Sequence, residues 1–207
     1  MTNSQRKRGR PATIDTQSAM QSLVELFRAK GYAAVSLDDL SDATGLSRPS
    51  LYRSFGNKLS MYVAAMNAFG DQVRKEAVPA LLAPGRLEDA LANFYEAMLT
   101  IYYRDDEVSP GCLVYATAPS SAHEKEIQER LRFGVDSTDQ IMRQRIQSAA
   151  PKADPHLIET AVQMGTNTLI AFSARAKSGA SKTELVDMGK RSAEAIASVL
   201  ALQVDPA

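Results

Sequence analysis

The sequence predicts an all-α protein of about nine helices. Apolar residues recur at helical spacing almost throughout, and no convincing run shows the alternation of a strand. Serine, aspartate and asparagine caps precede several of the helical segments. The segments are short near the N-terminus and lengthen after residue 80, without an internal repeat or low-complexity tract. We therefore expect a small three-helix domain followed by a larger helical domain.

The first two helices are bounded by local signals. An apolar stripe from Met20 to Phe27 has i, i+3, i+4 and i+7 spacing, and Gly31 ends that helix. The second helix opens at Ser36, with Asp39 three residues later, which is the spacing of a capping box. Gly45 then supplies a tight turn. The pattern predicts two helices joined at this glycine to a third.

The next two helices follow with almost no connection. The third begins at Ser47 and ends near residues 55–56. Asn57 is a good cap for the fourth, whose apolar residues continue to about residues 78–79. We expect the fourth helix to link the two domains.

Longer helices are predicted in the remainder of the chain. The first of these runs from Leu87 to Tyr102, and a polar stretch over residues 104–111 ends it. Three later helices have N-terminal signals: Ser121 with Glu124, Asp154 followed by Pro155, and Ser181 with Glu184. Gly179 ends the helix that begins at Pro155.

Charge and cysteine content restrict the class of protein. The formal net charge is zero, yet residues 1–60 hold nine Lys/Arg and five Asp/Glu, so a basic head precedes an acidic body. Cys112 is the only cysteine, so no disulfide can form within the chain. No apolar run approaches a membrane span of ~20 residues, and the N-terminus is not a secretory signal. We expect a cytoplasmic protein with no membrane partner.

The spacing within residues 31–58 is that of a helix-turn-helix. Leu40, Leu46, Leu51 and Phe55 can pack inward against Phe27. This arrangement leaves five residues on the exposed sides of the third helix: Arg48, Pro49, Ser50, Tyr52 and Arg53. The first turn of such a helix reaches base edges in the major groove, and its free N–H groups favour phosphate. The expected partner is double-stranded DNA.

The run GYAAVSLDDLSDATGLSRPSLYRSFGNK closely resembles the DNA-binding domain of the TetR family of bacterial regulators. The matching positions are Gly31, Tyr32, Ser36, Leu40, Gly45, Leu46, Ser47, Leu51, Tyr52, Phe55 and Lys58. The resemblance implies phosphate contacts by Ser36, Tyr52 and Lys58, and a base-facing group of Arg48, Pro49 and Ser50 beside the cap Ser47. Arg48 is the preferred base reader, since arginine to guanine is the commonest specific contact.

Two positions depart from the family pattern. Ser54 stands where His or Tyr is common, which weakens or removes one backbone contact. Leu59 replaces the acid that usually follows the lysine, a change that affects the fourth helix more than the DNA surface.

The domain boundaries follow from these segments. We expect a basic arm over residues 1–12, a DNA-binding domain over 13–58, a linking helix over about 58–78 and a ligand-binding and dimerisation domain over 80–207. Arg8 and Arg10 in the arm lie in Arg-Gly-Arg-Pro, which resembles the core of an AT-hook. A basic tail that binds DNA without sequence preference is the alternative.

A ligand pocket is expected among the adaptable side chains of the second domain. Its candidate lining is Phe94, Met98, Tyr102, Tyr115, Phe133, Met142, Met164 and Asn167. The alternative for each is ordinary core packing, and Asn167 could instead form a hydrogen bond across a dimer. The resemblance also implies that the last two helices form the homodimer.

The sequence therefore predicts a DNA-binding regulator, most simply a repressor that a small-molecule effector releases from a roughly palindromic operator. One alternative is a protein of the same fold that answers to a protein partner or activates transcription. A remote alternative is a hydrolase using Cys112 with His123. We expect no catalysis, no cofactor and no metal, because His123 and His156 lack metal-ligand spacing with each other or with Cys112. Cys112 could also serve as a redox switch.

Overall fold

The computed structural model describes residues 15–104 and 108–201. Within these ranges the chain forms ten α-helices and no strand, so the predicted all-α class is confirmed. Their bounds are α1 Thr16–Ala34, α2 Leu37–Thr44, α3 Arg48–Phe55, α4 Lys58–Glu76, α5 Val78–Leu82, α6 Leu87–Tyr103, α7 Leu113–Thr117, α8 Lys125–Ala149, α9 Pro155–Lys177 and α10 Lys182–Ala201. No helix in the described ranges has both the length and the apolar character that crossing a bilayer requires.

The sequence delimits eight helical segments, and two further five-residue helices, α5 and α7, bring the described number to ten. Pro79 was expected to end the fourth helix, but it lies in the first turn of α5, where the missing N–H of proline costs nothing. Helix α7 follows Gly111, which has a φ of 76°, and no periodic stripe marks so short a segment. Both short helices were missed because they depend on packing rather than on local pattern.

Most of the predicted helix boundaries are confirmed. Ser36 and Asp39 form the reciprocal bonds of a capping box, and the side chains of Ser47 and Asn57 cap α3 and α4. Backbone geometry breaks from the helix at Gly31 inside α1, where φ is 76°.

Two of the three capping signals in the larger domain are also confirmed. The side chain of Asp154 accepts a bond from the N–H of His156 at the start of α9. The Ser181 hydroxyl and backbone N–H both donate to Glu184 at 2.8 Å, in front of α10.

The third capping signal, Ser121 with Glu124, is wrong. Residues Pro119–Ser121 form a 3-10 turn, and α8 begins only at Lys125 with no side-chain cap bond. Ser121 is fully buried in this turn, so its hydroxyl cannot serve the start of α8. Burial of the 3-10 turn under neighbouring helices overrides the local signal.

A single apolar core runs through all ten helices. Helices α1, α2 and α3 pack around Phe27, Leu40 and Leu51, each with no exposed surface. Helix α1 also packs on α4 and α7, so the N-terminal helices rest directly on the larger helical body. In that body, α6 contributes a row of buried aromatic residues that α9 and α10 cover. Helix α8 crosses α9 and closes the side of the body next to α4.

Candidate nucleic-acid interface and adjoining cavity

The exposed surface of α3 is set by the turn before it. Helix α2 ends at Gly45, whose φ of 67° lies in the left-handed region, and Ser47 then caps α3. Leu51 is buried and anchors α3 against the core. The opposite side of α3 consequently faces outward, with Arg48, Pro49, Tyr52 and Arg53 exposed and Ser50 half-buried. Tyr52 is 46% exposed, so its side chain is accessible to a partner.

Arg48 makes an ion pair with Asp38 of α2. Its Nε lies 3.1 Å from Asp38 Oδ1, and Nη2 donates to the same oxygen. The side chains are 53% and 71% exposed, so the pair sits in solvent at the surface of the helix-turn-helix. The hydrogen bond and the charge of Asp38 raise the pKa of Arg48. Asp38, which the sequence reasoning missed, therefore competes with any base or phosphate for the Arg48 guanidinium.

Ser36 and its neighbours form a polar cluster before α2. The Ser36 hydroxyl donates to Asp39 Oδ2 at 2.5 Å, and Lys30 Nζ lies 2.5 Å from Asp39 Oδ1. The bond from Lys30, followed by those from Ser36, holds the pKa of Asp39 well below its usual range. The Ser36 hydroxyl is thus already engaged within the chain. The free N–H groups of the first turn of α2 are the better candidates for a phosphate.

The remaining predicted DNA contacts lie at the edges of α3. Lys58 Nζ stands 4.7 Å from the ring centroid of Tyr32 and 3.4 Å from the carbonyl oxygen of Ala33, which holds the cation beside the α1–α2 connection. The hydroxyls of Ser47 and Ser50 are 3.0 Å apart and share one hydrogen bond. Arg8 and Arg10 lie outside the described residues.

The two departures from the family pattern also have defined positions. Ser54 is exposed on α3. Leu59 is half-buried and packs against the core, so its side chain belongs to α4 rather than to the exposed face of α3.

A buried arginine joins α1 to the body. Arg28 is 2% exposed; its Nη2 donates to the carbonyl oxygens of Tyr102 at 2.9 Å and Gly111 at 3.1 Å, and its Nε donates to Gly111 at 3.2 Å. Glu25 balances the charge at 2.9 Å from Nη1. The guanidinium also lies 5.4 Å from the ring centroid of Phe69 in α4. No periodicity in the sequence distinguishes this arginine from a surface residue.

A cavity of about 330 Å³ lies between α4, α6, α7 and α8. Four of the predicted ligand residues line it: Phe94, Met98, Tyr115 and Phe133. The other lining residues are Met66, Phe69, Gly70, Val73, Arg74, Val78, Cys112, Val114, Arg130, Gly134, Ser137, Thr138, Ile141 and Leu169. The wall is mostly apolar with a few polar groups, as is usual for small-molecule sites. The Tyr115 hydroxyl bonds to Thr138 Oγ1 at 2.8 Å, and burial raises the pKa of Tyr115.

The other four predicted lining residues lie elsewhere. Tyr102 and Met142 are fully packed in the core, and Met142 lies where a Cβ on Gly165 would approach its sulfur to 3.1 Å. Met164 and Asn167 line a shallow groove between α9 and α10. Successive residues of α9 face different sides of the helix. The side that carries Leu169 lines the cavity, whereas Asn167 is exposed on another side.

Cys112 lines the cavity, yet it is 3% exposed, and burial raises the pKa of its thiol. A thiol in this state is a poor nucleophile. His123 is exposed and shares no hydrogen bond with Cys112 among the described residues. Nor do the described residues contain three His, Cys, Asp or Glu side chains grouped to hold a metal ion.

The fold and the outward-facing α3 define a DNA-binding protein of the helix-turn-helix class. The model of the bacterial regulatory proteins of the tetR family matches residues 20–65, from α1 into α4. Over 187 residues the chain is 26% identical to the HTH-type transcriptional repressor ComR of Escherichia coli (strain K12), covering 88% of this chain and 89% of that protein. It is 35% identical over 71 residues to the HTH-type transcriptional repressor BdcR of the same organism, covering 34% of each.

Solved structures agree on the fold. A TetR family transcriptional regulator, CifR, in a complex with 26-bp double-strand operator DNA, superposes with a TM-score of 0.79 at 23% identity, covering 90% of this chain and 99% of that one. The resemblance of residues 31–58 to the DNA-binding domain of the TetR family is confirmed by the family model, which matches residues 20–65.

Proposed function

We propose that this chain is a homodimeric repressor that leaves its operator when a small molecule enters the cavity. The observation that carries the proposal is the surface of α3: a buried Leu51 anchors the helix, while Arg48, Pro49 and Tyr52 are presented to solvent. ComR and CifR, which the chain resembles over most of its length, are a named repressor and a regulator in complex with operator DNA. A regulator of chromosomal genes works in the cytoplasm, where Cys112 stays reduced. We assign no catalytic step to this chain.

The DNA contacts are assigned by position on the helix-turn-helix. Arg48 leaves Asp38 and donates to a guanine, with Pro49 and Ser50 beside it, while Ser47 caps the helix that carries them. Tyr52, Lys58 and the first turn of α2 at Ser36 contact phosphates. The basic arm with Arg8 and Arg10 adds salt-sensitive affinity.

The dimer is assigned to α9 and α10. Along α9, Met164, Asn167, Ile170, Ala171 and Ala174 form a stripe with exposed or half-buried side chains. A matching stripe on α10 holds Met188, Ser192, Ala195 and Val199. Pairing this face with its twin would bury both stripes and place two α3 helices on half-sites separated by about one helical turn (~34 Å).

The cavity connects to the DNA-binding helices through two sets of contacts. Phe69 and Cys112 line the cavity; the Phe69 ring lies under the Arg28 guanidinium, and Cys112 follows the Gly111 carbonyl that Arg28 binds. The second set is the bond of 2.6 Å between the hydroxyls of Tyr62 in α4 and Thr117 in α7. A ligand that displaces α7 or Phe69 therefore moves α1 and α4, which changes the separation of the two α3 helices. A coupling of about 1–3 kcal/mol is typical of such ligands.

The direct test is binding of the purified protein to the DNA just upstream of its own gene, titrated in salt beside scrambled DNA. We expect a clear preference for the upstream fragment. Arg48→Ala should reduce that preference roughly tenfold or more, because a lost arginine–guanine contact affects only the correct sequence. Arg53→Ala on the same helix is the matched control, and it should lower affinity for both fragments alike.

Equal binding of the wild-type protein to the upstream and the scrambled DNA would contradict an operator in the upstream fragment. Equal effects of the two variants would contradict the role given to Arg48. The operator complex is then the assay for release by candidate small molecules.

A further inference from the structure

The cavity wall contains an arginine that forms no ion pair with any of the described residues. Arg130 of α8 lines the cavity, and the structure gives its side chain no ion pair and no hydrogen bond among the described residues. Its Nε is buried, and its guanidinium carbon lies 4.3 Å from the ring centroid of Phe133, which also lines the cavity. Arg74, the other charged residue of the wall, already pairs with Asp71 at 2.5 Å and is 64% exposed. Arg130 therefore differs from an ordinary surface arginine.

The surroundings of Arg130 make its positive charge costly. Burial lowers the pKa of its guanidinium, and the charge of Arg74 lowers it further, while Asp71 opposes these effects. An arginine nonetheless stays protonated at any physiological pH, so the charge persists. A partly buried, unpaired cation is stabilised by an anion that offers oxygen acceptors in the plane of the guanidinium.

The rest of the wall defines the other end of the ligand. Met66, Phe69, Phe94, Met98 and Leu169 supply an apolar surface within the same cavity. The volume of about 330 Å³ lies at the lower end of the range of about 300–1,000 Å³ that is usual for small-molecule sites.

We propose that the effector is a small amphipathic carboxylate, with an aliphatic or aromatic body in the cavity and its carboxylate on Arg130. The proposal rests on the effector-released repressor proposed above and specifies the chemical class of that effector. Arg74 lies at the rim and adds favourable charge as the anion enters.

Calorimetry of the full chain without DNA tests the proposal. The probes are octanoate, decanoate and 4-phenylbutyrate, each beside its primary amide, which has the same shape without the charge. At least one acid should bind roughly tenfold or more tightly than its amide, the difference expected of a charge-assisted bond. Arg130→Gln should remove this preference and leave amide binding nearly unchanged.

Arg132→Gln is the matched control, because Arg132 lies on the same helix with its side chain 84% exposed. This variant should keep the preference for the acid. Failure of every acid to bind better than its amide in the wild-type protein overturns the proposal, even if Arg130→Gln does not fold. An equal loss in the two variants overturns it as well. Because no DNA is present, neither result bears on operator binding.

Discussion

Arg28 has the largest side chain among the fully buried residues. A guanidinium in an apolar core is tolerated only when its donors and its charge are both satisfied. Carbonyl oxygens of Tyr102 and Gly111 accept hydrogen bonds from the guanidinium, and the carboxylate of Glu25 balances its positive charge. The Tyr102 carbonyl lies in the last turn of α6 and the Gly111 carbonyl precedes α7, so one α1 side chain holds these two segments of the body together.

Arg28→Leu should destabilise the protein by about 3 kcal/mol, because several carbonyl groups would lose their donors inside the core. Urea unfolding at one fixed protein concentration measures this loss. Arg104→Gln is the matched control: Arg104 also pairs with Glu25, at 3.2 Å, but its side chain is 37% exposed. That exposed pair should contribute less than about 1 kcal/mol. Similar losses in the two variants would show that the buried carbonyl contacts of Arg28 add little.

Glycines in two helices of the body, α4 and α10, differ in how closely neighbouring atoms approach them. Gly70 in α4 lines the cavity, and a Cβ there would meet no atom within 4 Å. Gly189 in α10 lies against α6 and α9, where a Cβ would be 3.1 Å from Tyr95 Cβ and from Phe172 Cζ. Helix α4 therefore has free space on its cavity side, while α10 is in full contact with the core.

The same substitution should act in opposite directions at these two glycines. Gly70→Ala should stabilise the protein by about 0.5–1 kcal/mol, because alanine loses less backbone entropy in a helix. Gly189→Ala gains the same propensity but should be destabilising overall by about 1 kcal/mol or more, since Tyr95 Cβ cannot move without its backbone. Thermal or urea unfolding of both variants checks the pair. A gain at Gly189, or a loss at Gly70, would contradict this account of the packing.

At the scale of the whole molecule, the large exposed apolar residues fall on different surfaces. Tyr52 lies on the proposed DNA face and Phe133 at the cavity, while Ile170 is 39% exposed on the α9 stripe. Leu82 is 42% exposed on α5 and is not among the residues of any of these three surfaces. Ile170 and Leu82 are thus equally exposed, but only Ile170 belongs to the proposed dimer face.

Ile170→Arg should convert the dimer to a monomer, because each subunit would place a charge in an interface whose two stripes are mostly apolar and hold no other charged residue. Leu82→Arg should leave the dimer intact. Sedimentation velocity at micromolar protein concentration distinguishes the two results. The monomer should also bind the operator far more weakly, because one molecule could no longer contact both half-sites of the DNA at once. A dimeric Ile170→Arg protein would place the interface elsewhere.

The sequence by itself determined the eight longer helices, and residues 31–58 determined the class of the protein. Capping at Ser36, Ser47 and Asn57 and the turn at Gly45 depend on residues within a few positions of one another, so they can be seen in the sequence. The exposed side of α3 follows from the same local order once Leu51 is known to face inward. The match of residues 31–58 to the TetR family depends on this local spacing.

Only the tertiary structure decided which side chains meet across helices. It paired Arg48 with Asp38, buried Arg28 against carbonyls more than 70 residues away, and left Arg130 in the cavity wall without an ion pair among the residues described. It also divided the predicted ligand residues, because Met164 and Asn167 lie away from the cavity that Leu169 helps to line. The position of an apolar or charged residue in the helical repeat does not show which neighbouring helix its side chain contacts. The rotation and packing of whole helices, which long-range contacts fix, therefore determine its role.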